Sequence, residues 1–183
     1  MSRFGLLVLV LVTGLAQSAD GFLIQRAEVQ RRGADYVLNA DIAYRLSAEA
    51  LEALENGVPL TIVLEWTIER ERMYWWNQPI AADQRKLEIR YHPLGQLYQM
   101  STAERPDPQR YASLRALLTS LGTIRGLPLV AEERLESGAA YLVDLRVSLD
   151  IESLPLPLRP TAYMTPGWYL SSAPYRWSFV KSE

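Results

Sequence analysis

Between residues 59 and 76 the chain reads PLTIVLEWTIERERMYWW, and for most of that length every second residue is apolar. Leu60, Ile62, Leu64, Trp66 and Ile68 fall on one side, while Thr61, Glu65, Thr67, Glu69 and Glu71 fall on the other. Successive side chains of an extended backbone point to opposite faces, so the pattern predicts a strand with one face on a core and the other in water. A straight strand over the whole stretch would span roughly 60 Å, more than a small domain needs, which predicts a bend or bulge near its end.

Two further stretches carry the same two-residue period. In residues 36–46, Tyr36, Leu38, Ala40, Ile42, Tyr44 and Leu46 share a face; in residues 139–151, Tyr141, Val143, Leu145, Val147, Leu149 and Ile151 do so. Residues 22–31 predict an edge strand with Ala27 and Val29 facing inward, joined to the next strand by a hairpin turn at Gly33 and Asp35. After a loop with Asn77, Pro79 and Asp83, residues 84–91 and 96–102 predict a hairpin about His92-Pro93-Leu94-Gly95. A last strand over residues 168–179 is interrupted by Pro174.

Helices are few. Ser47 caps a short one containing Leu51 and Leu54, stopped by Asn56-Gly57. Ser113 caps a second, over residues 113–124, with Leu114, Leu117, Leu118, Leu121 and Ile124 at helical spacing. Residues 103–112, with Pro106 and Pro108, serve as a polar connection, and residues 154–160 (LPLPLRP) as an extended polyproline-like crossing between sheets. About seven half-buried strands are too many for one open sheet of a small domain. Two sheets packed face to face bury them all, so the expected class is mainly β: an immunoglobulin-like antiparallel β-sandwich with two short inserted helices. The alternative is an α+β arrangement with the helices on one face of an antiparallel sheet.

Residues 1–19 have the anatomy of a secretory signal peptide. Arg3 supplies the positive end, FGLLVLVLVTGL (4–15) the apolar run, and Gly14, Ala16, Ser18 and Ala19 the small residues of a cleavage region after Ala16, Ser18 or Ala19. Twelve apolar residues are fewer than the roughly 20 that a spanning helix needs, so retention as a membrane tether is the weaker reading. The expected organisation is a leader over 1–19 and one domain over 20–183, located in the periplasm or secreted. The chain has no cysteine, which removes lipid attachment through a thiol, disulfides and thiol chemistry.

A formal net charge of −2 marks neither a nucleic-acid binder nor a binder of anionic membranes. The lysines are Lys86 and Lys181 alone, but the arginines are spread along the chain without a cluster that would mark phosphate recognition. His92 is the one histidine, placed before a proline in a turn, and no GxSxG nucleophile elbow exists to go with it. With a single histidine and no cysteine, no metal site and no cofactor are expected. Glu65, Glu69 and Glu71 are the wet side of a strand. The candidate site is Arg70, Arg72, Tyr74, Trp75 and Trp76, which join guanidinium groups to large flat side chains of the kinds enriched in binding hot spots. Alternation sends Trp75 and Trp76 to opposite faces, so at least one of them is expected in solvent, with Tyr175 and Trp177 either joining them or lining the inner face of the last strand.

Several segments carry a family resemblance: Asp41-Ile42-Ala43-Tyr44-Arg45-Leu46-Ser47, Ala53-Leu54-Glu55-Asn56-Gly57-Val58-Pro59-Leu60, Trp75-Trp76, Tyr91-His92-Pro93-Leu94 and Leu127-Pro128-Leu129. So do Asp150-Ile151-Glu152-Ser153-Leu154-Pro155-Leu156-Pro157-Leu158, Trp168-Tyr169-Leu170-Ser171-Ser172 and Trp177. In these the chain resembles the exported bacterial proteins grouped as domain-of-unknown-function family 4390, over nearly the whole region after the leader. The resemblance implies a proteobacterial protein with a signal peptide and no assigned activity, so it carries over no catalytic residue; it also implies an association with a membrane sensor kinase of the nitrogen-regulation type. Residues and resemblance together lead to the expectation of a non-enzymatic module that binds a protein or peptide partner in the cell envelope. The alternative is a small-molecule or glycan binder using the same aromatic and arginine patch.

Overall fold

The computed structural model describes residues 21–72, 74–103 and 105–181, so the leader expected over residues 1–19 lies outside the described residues. The chain forms β1 (Gly21–Arg32), β2 (Asp35–Arg45), α1 (Ala48–Glu55), β3 (Leu60–Arg70), β4 (Gln78–His92), β5 (Leu97–Thr102) and β6 (Arg105–Tyr111). It continues through α2 (Leu114–Gly122), β7 (Thr123–Ala131), β8 (Ala140–Leu149), α3 (Arg159–Met164) and β9 (Tyr175–Val180). Two antiparallel sheets result: a small one in the order β1-β2-β7 and a large one in the order β6-β5-β4-β3-β8-β9. Their inner faces share one core, so the expected two-sheet sandwich is present, with nine strands and three α-helices among the described residues where about seven and two were expected. Helices do not line one face of a single sheet; the small sheet occupies that place.

The alternation in the sequence is what fills the core. Leu60, Ile62, Leu64, Trp66 and Ile68 of β3 are buried, and so are Tyr141, Val143, Leu145, Val147 and Leu149 of β8 beside them. From the small sheet, Tyr36, Leu38, Ala40, Ile42 and Tyr44 of β2 face them. Aromatic rings stitch the layers: Phe179 of β9 lies 5.4 Å from Tyr36 and 5.5 Å from Tyr141, measured between ring centroids. In β1 the pairing register slips between Ile24 and Arg26, which moves the inward face from Phe22 and Ile24 to Ala27. Gly33, at φ 64°, turns the β1–β2 hairpin in the left-handed region that glycine enters without a Cβ clash.

Six local expectations are corrected. β3 ends at Arg70, so the aromatic residues that follow lie in the connection to β4 and not on a strand. β4 begins at Gln78, within the expected loop, its pairing with β3 shifted by one residue near Glu69. Residues 105–111 form a strand despite two prolines, because β6 is the outermost strand of its sheet and needs ladder bonds on one side only. Residues 123–131, which carried no strand expectation, form β7, whose pairing with β2 is broken by two register shifts that also hide its period. The proline-rich stretch 154–160 is not a polyproline crossing: it follows a 3-10 turn (Ile151–Ser153), turns again where Leu158 N–H donates to the Pro155 carbonyl at 2.9 Å, and runs into α3, with Pro160 in the first helical turn, where a missing N–H costs no bond. The last strand starts at Tyr175, after Pro174, and Trp168 is buried in a separate 3-10 turn.

Side chains fasten the connections. Ser47 Oγ accepts from Ala50 N–H and Ser113 Oγ from Ala116 N–H, both at 3.2 Å, capping α1 and α2 as their sequences predict. Lys181 Nζ, just past β9, donates to the carbonyls of Glu132 and Leu135 at 3.1 and 2.8 Å, closing the β7–β8 connection. Asp150, at the end of β8, accepts from Ser153 Oγ at 2.6 Å, from Lys86 Nζ at 2.9 Å and from Glu152 N–H at 3.1 Å. Burial alone would raise the Asp150 carboxyl, but Ser153 and Lys86 outweigh it and hold it below its usual range. A carboxyl lowered in the folded state adds stability above its unfolded value and loses it as pH falls through the lower folded one. Asp150→Asn is therefore expected to cost about 1–2 kcal/mol at pH 7 and progressively less as pH falls below about 4. Urea unfolding of both proteins at pH 7 and pH 3 measures the difference; an equal cost at the two values would refute the assignment.

Two buried tyrosines make a contrasting pair. The Tyr141 hydroxyl accepts from Glu136 N–H at 2.7 Å, whereas the Tyr44 hydroxyl is buried with no hydrogen-bond partner among the described residues, and burial pushes its ionisation far up. A buried polar group without a partner costs free energy. Tyr44→Phe is expected to leave stability unchanged or to raise it by up to about 1 kcal/mol, while Tyr141→Phe lowers it by about 1 kcal/mol. Equilibrium unfolding of the two variants checks both signs.

Candidate binding hairpin

The connection between β3 and β4 is braced at its base and bare at its tip. Arg70, the last residue of β3, forms an ion pair with Glu136 on the β7–β8 connection, and its side chain is 29% exposed. Glu71 N–H donates to the Ala140 carbonyl at 2.9 Å, and the Glu71 carboxylate accepts from Ser178 Oγ at 2.6 Å, tying the loop base to β8 and β9. Across the hairpin, the Arg72 guanidinium donates to Gln78 Oε1, and Asn77 Nδ2 donates to Glu69 Oε2 at 3.2 Å. These contacts fix where the loop leaves the sheet. Beyond them Tyr74, Trp75 and Trp76 stand 85%, 77% and 92% exposed; Met73 lies outside the described residues.

Of the five expected site residues, then, three form a projecting aromatic tip and two arginines brace it. Alternation predicted that at least one tryptophan would be in solvent; both are, because the strand has ended before them. Tyr175 and Trp177 do not join the tip. They are partly buried on the inner side of β9 and pack on the core, their rings 5.6 Å apart. The bracing residues Glu69, Glu71, Asn77 and Gln78 were missed by sequence reasoning. The available signal is the alternation of charge through Glu69, Arg70, Glu71 and Arg72, of which the acids alone read as the wet side of a strand.

The tip is convex. An open trough runs over the outer face of the large sheet, lined by Glu65, Thr67, Ala82, Asp144 and Arg146, and a groove beside α2 is lined by Ala43, Leu114, Leu118 and Thr119. Neither includes an aromatic residue of the tip. Elsewhere, His92 Nε2 lies 2.8 Å from Gln99 Oε1 across the β4–β5 hairpin. Among the described residues no group of three or more His, Cys, Asp and Glu is placed to hold a metal ion, and no helix is long and apolar enough to cross a membrane. The chemistry this arrangement offers is contact: flat apolar surface with an indole N–H or phenol O–H at its rim.

Fold and hairpin together define an antiparallel β-sandwich protein with a braced, projecting aromatic loop. The model of the family described as "Domain of unknown function (DUF4390)" matches residues 19–178, and the chain belongs to that family. No curated protein and no solved structure matches it.

Proposed function

We propose that this protein is an exported, non-enzymatic interaction module that engages a protein or peptide partner of the cell envelope through the Tyr74-Trp75-Trp76 tip. The observation that carries the reading is the exposure of three adjacent aromatic side chains on a loop whose base is fastened by five polar contacts. Three large aromatic residues in water are an unfavourable surface for a chain to keep, and a braced loop presents them without first having to be ordered. The external part of a membrane sensor is the partner class that the resemblance to exported sensor-associated proteins favours. The glycan-binding alternative needs a concave pocket built from the same rings, and the trough and groove described above are lined by other residues.

A photo-crosslinking residue placed at Trp76, in cells producing the full chain, tests the reading directly. One envelope protein is expected to be captured from position 76 and not from Leu23 on the outer side of β1, an exposed apolar control away from the tip. N-terminal sequencing of the same chain is expected to find it beginning at residue 17, 19 or 20. Absence of any crosslink, or equal capture from both positions, would count against the module; a chain that keeps residue 1 in the cytoplasm would count against export.

A further inference from the structure

β4 is fifteen residues long, but β5 pairs with its second half alone, Leu87–His92 against Leu97–Thr102. Residues 78–86 run beside β3 on one side, and among the described residues no strand pairs with them on the other. That open side begins where the aromatic loop ends. Ala82, Asp83, Gln84 and Lys86 along it are exposed. In an antiparallel strand the backbone groups facing one neighbour fall on every second residue. Two side chains show which residues these are here: the Arg134 guanidinium donates to the Ile80 carbonyl, and the Gln84 N–H donates to Asp83 Oδ1 at 2.7 Å. On the near side of the pairing shift at Glu69, residues 82, 84 and 86 therefore face the open lane, and Ala82 and Lys86 present backbone N–H and C=O groups there.

We propose that this half-edge of β4, residues 78–86, receives an extended segment of a partner polypeptide as an added strand of the large sheet. The proposal rests on the binding reading above and names the surface beside the aromatic tip that carries the backbone contacts. A row of N–H and C=O groups at strand spacing is complemented in register by another extended backbone, with side chains of the guest reading the residues on either face. Pro79, Asp83 and Lys86 are the proline and charged residues that blunt indiscriminate pairing at an edge, so the lane is guarded as well as open. A second copy of the chain fits it poorly. Paired antiparallel about Ala82, the second copy's hairpin runs on past its own residue 78 into the lane that β5 fills beside Leu87, and meets Thr102. A linear segment can stop or turn away at that point.

Ala82→Pro tests the proposal. Its N–H faces the open lane, so proline removes no bond to β3, while the ring and the missing donor block a guest strand. The probe is a displayed library of random dodecapeptides selected on the purified chain. Selected peptides are expected to lose at least tenfold in affinity for Ala82→Pro, and equally when their alternate amides are N-methylated. Peptides that bind wild type and Ala82→Pro alike, or no enrichment at all, would overturn the edge site. Peptides that lose affinity for Trp75→Ala/Trp76→Ala and not for Ala82→Pro would overturn it while leaving the aromatic tip in place. Circular dichroism and thermal melting of Ala82→Pro establish its fold; were it unfolded, the N-methylated peptides decide the matter on the wild-type chain.

Discussion

Gly122→Ala is expected to lower stability by about 3 kcal/mol or more, a drop in Tm of roughly 6–12 °C for a chain of this size. Gly122 ends α2, and a Cβ built on it falls 2.0 Å from the Ile42 carbonyl oxygen, 3.2 Å from its carbon and 3.6 Å from Tyr44 Cε2. The first two atoms are backbone, and β1 holds that backbone from the other side through the pairing Ile24↔Ile42. Neither can retreat as a side-chain end could. α2 would have to lift, and with it the buried Leu117 and Leu121. Nothing about the residue's φ is responsible, so the cost is one of contact. Gly95→Ala, whose Cβ meets nothing nearer than 3.9 Å, is the control and is expected to change stability by less than about 0.5 kcal/mol. Chemical denaturation of the three proteins measures both; a Gly122→Ala variant as stable as Gly95→Ala would mean that helix and strand do not meet as closely as described.

The second large effect is on binding. Trp75→Ala and Trp76→Ala are each expected to weaken the captured partner by about 30-fold or more, since truncating a central aromatic anchor costs roughly 2–4 kcal/mol. Neither change should move Tm by more than about 1–2 °C, because both side chains already stand in water. The dissociation between affinity and stability is the signature. Arg70→Ala is different in kind: it cuts the ion pair to Glu136, and a smaller loss of affinity is expected, through a looser loop base. Titration calorimetry against the crosslinked partner, beside melting curves, separates the two. Tryptophan variants that bind as wild type would remove the tip from the interface.

The strands that were legible in the sequence are those with an unbroken dry face; the other face of β3 is wet only from Glu65 onward, Thr61, expected in water, and Val63 being buried as well. β2, β3 and β8 carry the period of two because the opposite sheet covers each of them from end to end. β6 and β7 were not legible. At the sheet margin, Pro106 and Pro108 are tolerated in β6, and a proline reads as a break to any argument that treats all strands as central. β7 slips twice against β2, so its apolar residues Leu127, Leu129 and Val130 keep no single period. For the site, residue type gave the right cluster and the wrong local geometry. The apparent alternation through Arg72 outlasts the hydrogen-bonded ladder, which stops at Arg70 because the following polar groups bond across the loop and to β8 and β9. The half-empty lane beside β4 left no mark in the sequence at all, since it depends on how short β5 is.

The Lys181 clamp has a practical corollary. β8 runs from Tyr141, opposite Arg70, to Leu149, opposite Ile62, a climb of roughly 27 Å. Ser171, which accepts from Phe22 N–H, bridges to Ser148 at the far end, while Val180 sits beside Ala140 at the near one. Gly21 and Lys181 thus leave from opposite poles, and it is the carboxyl-terminal pole that shares its rim with the tryptophans. A fluorophore or affinity handle joined directly after Lys181 would crowd the aromatic loop, whereas a graft joined directly ahead of Gly21 holds the molecule by its base and leaves the rings in view.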